Sequence, residues 1–291
     1  MAKSRERQDI MLAHPMTSGK LQGYGKCLLQ PKLNGERCHV EWFNGEPILA
    51  SSTGLEFPYL NHIKEALQPH AGLNTDGELY FHGMSRDDIV SRVNRKKNKH
   101  PDEGVIQFHI FDYINFQDLQ AERVVKLGRE QFEEPLVLVP THIITLDQIA
   151  DYTNYYLNLG YEGIILRHPL GIYETKRSNA MLKHKPTEID YYVILGVKEA
   201  ISEDGELKGM VGAFTVLSPG KDTFEVGAGK LTHSERIDLW LRKDEILYKM
   251  LKVKHEKIKT GKNGVPISCV AVSIASVQEA LNYEFSRESD N

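Results

Sequence analysis

PKLNGER, residues 31–37, joins two runs of different character. Ahead of it, CLLQ (27–30) is apolar, as a buried strand is. Behind it, RCHVEWF (37–43) alternates, as a half-exposed strand does. Asn34-Gly35 favours a turn between them. Lys32 therefore stands at the end of a buried strand, beside a tight turn. Such a lysine is either a surface charge at a hairpin or a nucleophile on a rigid mount. A free lysine amine has a pKa of about 10.4, and a nearby cation or desolvation lowers it towards reactivity.

Outward from this stretch, residues 36–52 have the pattern of a hairpin, with Asn44-Gly45 as a type I′ turn signal. TDGELYF (75–81) and VIQFHIFDYI (105–114) are further strand candidates. Ser85 is placed to cap a helix running to about Lys97, with Asp88 in its first turn. Residues 117–132 carry a helical pattern, 135–144 an extended one, and 146–159 a helix stopped by Gly160. EGIILR (162–167) and MLKHK (181–185) are strands. Strands and helices alternate without regular βαβ spacing, which predicts an α+β fold with mainly antiparallel sheets.

Composition changes after Pro186. YYVILGVKE, MVGAFTVLS and TFEVG are β runs parted by glycine turns. A helix follows, opened by the capping-box pair Thr232 and Glu235, and then LKVKHEKI and VPISCVAVSIA. Five short strands and one helix fit a small OB-type barrel. The expected domains are residues 1–187 and 188–291, and the polar tail SRESDN is expected to fray.

At 291 residues, 41% hydrophobic and 26% charged, the composition is that of an ordinary soluble chain of about two domains. No apolar run reaches the roughly 18 residues that span a bilayer, so no membrane role is expected. The first residues lack the apolar segment of a secretory leader, and a cytoplasmic location follows as an expectation. Three scattered cysteines suggest a reducing compartment, with neither a disulfide frame nor a zinc site. A net charge of -4 excludes a uniformly basic nucleic-acid binder. Charge is nonetheless concentrated locally. Arg92, Arg95, Lys96, Lys97 and Lys99 form one basic run, and Lys249, Lys252, Lys254, Lys257, Lys259 and Lys262 another. Each is either a solvated face or a track for a phosphate backbone.

Carboxylates at strand positions Glu78 and Glu162 suit Mg²⁺ or a ribose hydroxyl. Lys183 and Lys185, two apart on a strand, point to one face and repel unless an anion lies between them. Phe111 suits either a core or a stacking platform.

In this order the motifs resemble those of the covalent nucleotidyltransferases, specifically the ATP-dependent DNA ligases of the small phage or viral type. KLNGER resembles the family's K-x-D-G-x-R nucleophile motif. SSTG, DGEL, FHIFD, EGIILR and LKHKP resemble its later motifs, and LGVKE, KGMVGAFTV and FEVGAGKLTHSERIDLW its OB domain. The likeness spans residues from about 12 to 260. It implies a nucleotidyltransferase domain followed by an OB-fold barrel. It also implies ATP as cofactor with Mg²⁺ or Mn²⁺, nicked duplex DNA as substrate, and a monomer. Lys32 would form lysyl-AMP. Gln30 would contact the adenine edge, and Leu33 would belong to the same nucleotide site. Arg37 would hold the ribose or the nick phosphate region. Glu78 would bind ribose and metal, and Glu162 would be the main metal carboxylate. Phe111 and Ile165 would sandwich adenine, and Lys183 and Lys185 would grip the α-phosphate.

Three positions depart from the pattern. Asn34 replaces the usual Asp, Ser52 replaces the usual Arg, and GVPISCVAVSIA lacks the arginine of the last motif, for which Lys254 or Lys262 are substitutes. Little chain precedes Lys32, so DNA is expected to be gripped by the two domains alone. The alternatives are an RNA ligase or mRNA-capping-type enzyme, and a catalytically inactive nucleic-acid-binding relative.

Overall fold

A computed structural model describes residues 10–256, 265–266 and 268–289. The chain divides into two compact units between Lys185 and Pro186, at the change of composition. The first carries, in order, β1 (Leu12–Pro15), α1 (Ser18–Leu21), β2 (Lys26–Lys32), β3 (Glu36–Phe43), β4 (Glu46–Ser51), α2 (Asn61–Leu67), β5 (Thr75–Tyr80), α3 (Arg86–Val93), β6 (Gln107–Tyr113), α4 (Gln120–Leu127), β7 (Leu136–Leu138), β8 (His142–Thr145), α5 (Ile149–Asn158), β9 (Gly163–Arg167) and β10 (Arg177–His184). They build two five-stranded sheets, ordered β1-β10-β9-β2-β8 and β4-β3-β5-β6-β7. All pairings except β1–β10 and β6–β7 are antiparallel.

Lys32 ends β2 in the first sheet, and Glu36 begins β3 in the second. The turn at Asn34-Gly35 is therefore a crossing between sheets and not a hairpin. The hairpin lies further on, where Asn44 and Gly45 both have positive φ, 51° and 83°, as a type I′ turn requires. Each sheet buries its own core. Leu29, Ile144, Ile164, Leu166 and Leu182 fill the first. Val40, Leu49, Leu79, Phe108 and Ile110 pack with Ile63 and Leu67 of α2 in the second.

Several expected elements are shorter or divided. α3 stops at Val93, short of the expected Lys97, with Asn94 at its C-cap ahead of the like charges. α4 starts at Gln120 because Asn115 accepts the amides of Gln117 and Asp118, which holds that segment in a turn. Residues 135–144 are two strands in different sheets, β7 and β8, parted around Pro140, which lacks a ladder donor.

The second unit holds β11 (Thr187–Ile201), β12 (Leu207–Leu217), β13 (Thr223–Gly227), α6 (His233–Leu241), β14 (Met250–Glu256), β15 (Val270–Ala275) and α7 (Val277–Ser289). Its five strands close into a barrel in the order β11-β12-β13-β15-β14. Phe214, Val216, Val226, Leu251, Val253 and Ala271 fill it, with Leu239 of α6 packed against them. Thr232 and Glu235 form the expected capping box. α7 takes in Ser286–Ser289 of the expected tail, and residues 290–291 lie outside the described residues. Lys257, Lys259 and Lys262 of the second basic run also lie outside them. Among the described residues, no helix is long and apolar enough to cross a membrane.

Candidate active site

A cavity of about 290 Å³ in the first unit is lined by residues of both sheets. Strand periodicity brings them there. Gln30 and Lys32 are two apart on β2 and share one face, opposite Ile165 and Gly163 of β9. Asp76 and Glu78 are two apart on β5, where Glu78 lies opposite Arg37 of β3. Of the expected residues, Gln30, Lys32, Leu33, Arg37, Glu78, Phe111, Ile165 and Lys183 line this cavity. Glu162 and Lys185 stand beside Lys32 and do not line it.

The Lys32 ammonium donates to Glu162 Oε2, and Lys185 Nζ donates to Glu162 Oε1 at 2.5 Å. The backbone fixes the arrangement, since the Glu162 amide donates to the Lys32 carbonyl at 3.1 Å. Burial pushes the Glu162 carboxyl up, but Lys32 and Lys185 outweigh it and hold it below the usual range. Glu78 behaves oppositely. Burial pushes it up to about 7, against the pull of Arg37, Lys32 and the Gly35 amide, and Glu162 adds to the rise. The Gly35 N–H donates to Glu78 Oε1 at 3.1 Å. Burial, then Lys32 and Arg177, lower Lys183. Cations gathered around one cavity in this way are what a site for a polyanion presents.

Asn34 carries no charge where a carboxylate is usual, and the Lys32 ammonium instead meets Glu162. Arg37 is held by Asp76, with Nε donating to Oδ1 at 2.6 Å and Nη2 to Oδ2 at 2.5 Å. Tyr173 donates its hydroxyl to the same Asp76 Oδ2 at 2.7 Å. Gln30 is almost wholly buried. Its Nε2 donates to the Phe111 carbonyl at 2.9 Å and to Thr141 Oγ1 at 3.0 Å, so any contact it makes to a base is through Oε1. The Phe111 ring is approached by the guanidinium carbons of Arg37, 4.6 Å from its centroid, and Arg167, 5.3 Å away. A stacked base would share the ring with them.

Sequence reasoning left Asp76, Asp112, Arg167, Tyr173 and Arg177 without a role. Arg167 and Arg177 line the cavity alongside Ser52. Asp76 and Arg167 sit inside the DGEL and EGIILR stretches, and strand alternation alone would have put Asp76 on the face of Glu78. Nothing comparable signals Arg177 or Tyr173.

No group of three or more His, Cys, Asp or Glu among the described residues is arranged to hold a metal. Glu78 and Glu162 are oxygen donors flanking Lys32, which suits a Mg²⁺ ion that takes its other ligands from phosphate oxygens and water.

A family model described as the ATP dependent DNA ligase domain matches residues 10–185. A DNA ligase of Haemophilus influenzae is 25% identical over 227 residues, covering 76% of this chain and 78% of that protein. A DNA ligase of African swine fever virus is 25% identical over 269 residues, and the chain spans 62% of its length. Among solved structures, one from a structure–function study of Lig E DNA ligases superposes with a TM-score of 0.75 at 19% identity, covering 91% of this chain and 98% of that one. The ATP-dependent DNA ligase of bacteriophage T7 in complex with ATP superposes with a TM-score of 0.52 at 15% identity, covering 92% and 98%.

Proposed function

The chain belongs to the ATP-dependent DNA ligase domain family, and from that premise we propose that it seals 5′-phosphate/3′-hydroxyl nicks in duplex DNA through a lysyl-AMP intermediate on Lys32. The observation that carries this reading is the placement of Lys32. Its amine stands at the end of a strand paired on both sides, opens onto a cationic cavity, and is bonded to a carboxylate that also holds Lys185.

In the first step Lys32 Nζ attacks the α-phosphorus of ATP, an N–P bond forms, and the bond to pyrophosphate breaks. Nζ must shed a proton for this, and Glu162 Oε2 is the acceptor in direct contact with it. Lys183 and Arg37 lie where they would offset charge on the phosphates. A divalent metal, when bound at Glu162 and Glu78, would supply further neutralisation of phosphate oxygens. Most of the acceleration in such an in-line transfer comes from positioning and electrostatics, which the two sheets provide. In the second step the AMP moves to the 5′-phosphate of a nick. In the third, the 3′-hydroxyl attacks that activated phosphorus and AMP leaves.

Incubation with α-labelled ATP and Mg²⁺, followed by a denaturing gel, tests the proposal. Wild type is expected to take the label, Lys32→Ala to take none, and nicked DNA to discharge it as sealed product appears. Label retained by Lys32→Ala would refute the assignment of the nucleophile. Label discharged by nicked RNA and not by nicked DNA would redirect the substrate.

A further inference from the structure

The first unit has a second hollow, of about 400 Å³, lined by His142, Asp151, Tyr152 and Tyr155. None of these residues lines the cavity around Lys32. His142 opens β8, an edge strand of the first sheet, and the other three belong to α5. Helical spacing gathers them. Asp151 and Tyr155 are four apart and Tyr152 and Tyr155 three apart, so their side chains are neighbours on the helix surface.

The rings are braced in place. His142 Nε2 and the Tyr156 hydroxyl share a hydrogen bond of 2.8 Å, and the Tyr152 ring lies 5.0 Å from the His142 ring. The Tyr155 ring meets Tyr156 at 5.1 Å and 71°. Bracing of this kind lowers the ordering cost of binding. Yet Tyr155 is 54% exposed. Asp151 is exposed too, and its carboxylate has no hydrogen bond or ion pair among the described residues.

The chemistry of the lining narrows the ligand. One carboxylate is too few oxygen donors for a Mg²⁺ or Ca²⁺ ion. An unpaired carboxylate also repels phosphate, which disfavours a nucleic-acid strand stacked on the tyrosines. A cation carried on an apolar body suits every part of the site. The π faces of tyrosine attract its charge, their apolar surface covers its alkyl groups, and the carboxylate supplies the counter-charge. We propose that the hollow between β8 and α5 binds an organic ammonium ion, with Tyr152 and Tyr155 as the aromatic walls and Asp151 as the counter-ion. A free polyamine and a lysine side chain of a partner protein share this chemistry.

Ligand-observed NMR with the full chain tests the proposal, using choline against 3,3-dimethylbutan-1-ol, its uncharged isostere. Choline is expected to bind roughly 3- to 10-fold more tightly than the alcohol, the range a cation over an aromatic face provides. Tyr155→Leu keeps an apolar side chain, removes the ring and should erase most of that preference, whereas Tyr155→Phe should retain it. Asp151→Asn should weaken choline roughly 2- to 5-fold and leave the alcohol unaffected. Lysyl-AMP formation should be unchanged in all three variants, which shows that they are folded. Equal binding of choline and the alcohol by wild type would reveal a merely apolar hollow and overturn the proposal. So would choline binding that survives both Tyr155→Leu and Asp151→Asn undiminished. Competition then separates the sources. Displacement of choline by spermidine at lower concentration than by N-acetyl-lysine methylamide assigns the site to free polyamines, and the reverse order to a partner's lysine. Failure of both to displace choline overturns the assignment to alkylammonium ions.

Discussion

Asp112 shows how much of the site depends on a single buried charge. Its carboxylate receives Arg123 Nε at 2.8 Å, Arg167 Nη1 at 2.7 Å and the Tyr113 amide at 2.8 Å, and it is fully buried with both arginines. Burial pushes its pKa up, but Arg167 and Arg123 more than offset this and hold it below the usual aspartate value. On acidification the unfolded chain therefore takes up this proton first. The stabilisation is complete above the unfolded value of about 3.9 and is lost as pH falls through the lower folded value. Asp112→Asn leaves two arginines without a counter-charge and is expected to cost about 3–5 kcal/mol near pH 7. Urea denaturation at pH 7 and at steps down to about pH 2.5 checks this, because the gap between wild type and variant must narrow with acid. Equal stability at pH 7, or a gap that stays constant, would refute it. None of this was legible in the sequence. FHIFD announces a strand and EGIILR another, but the pairing of Asp112 with Arg167 crosses 55 positions and two sheets. Periodicity places a residue on a face without naming its partner.

At the scale of elements, the crossing between β2 and β3 explains why PKLNGER is built as it is. A Cβ on Gly35 would lie 2.1 Å from the Leu79 carbonyl oxygen and 2.9 Å from Glu78 Cγ. The glycine is needed for this close approach, which also lets its amide reach Glu78. Gly35→Ala is expected to push the turn off β5, lower adenylation roughly 100-fold through misplacement of Lys32 and cost about 1–3 kcal/mol. Gly45→Ala is the control. It strains a positive φ of 83° at a tip with nothing within 4 Å, so it should lose about 1 kcal/mol at most and leave adenylation unchanged. Single-turnover adenylation and thermal melts on both variants decide the matter, and a Gly35→Ala protein that adenylates like wild type would sink it. Elements with local signals were readable, including the hairpin at Asn44-Gly45 and the helix capped by Thr232 and Glu235. α7 was readable too and was missed: Ser276 accepts the Glu279 amide, the S-x-x-E pattern of a helix start. The division of residues 135–144 was not readable, because an extended run looks the same whether one sheet or two receive it.

For the whole molecule, a net charge of -4 opposes DNA, so affinity must come from local concentrations of positive charge. The segment after α3 is the best placed in the first unit. Arg86, at the start of α3, donates through Nε to the Gly35 carbonyl at 3.1 Å, and α3 then runs eight residues to Val93. At about 1.5 Å per residue the helix carries the chain about 12 Å from the nucleophile turn, roughly three to four base pairs along a duplex at about 3.4 Å each. Arg95, Lys96 and Lys97 are exposed there and have no carboxylate partner among the described residues, whereas Lys99 is paired with Glu103 at 2.6 Å. The Tyr59 hydroxyl donates to the Lys96 carbonyl at 3.2 Å and anchors the backbone of the segment. If these three cations sit on phosphates, each releases close to one counterion, and the slope of log K against log salt carries about -0.9 for each. Replacing Arg95, Lys96 and Lys97 together by serine should flatten that slope by about 2 to 3 for nicked duplex. Lysyl-AMP formation, which needs no DNA, should be unchanged. Fluorescence anisotropy between 50 and 200 mM salt, roughly the range over which such contacts dominate, measures both slopes. Parallel lines for wild type and variant would remove this segment from the DNA interface, and the phosphate contacts would then have to be sought among Lys249, Lys252 and Lys254 of the barrel unit.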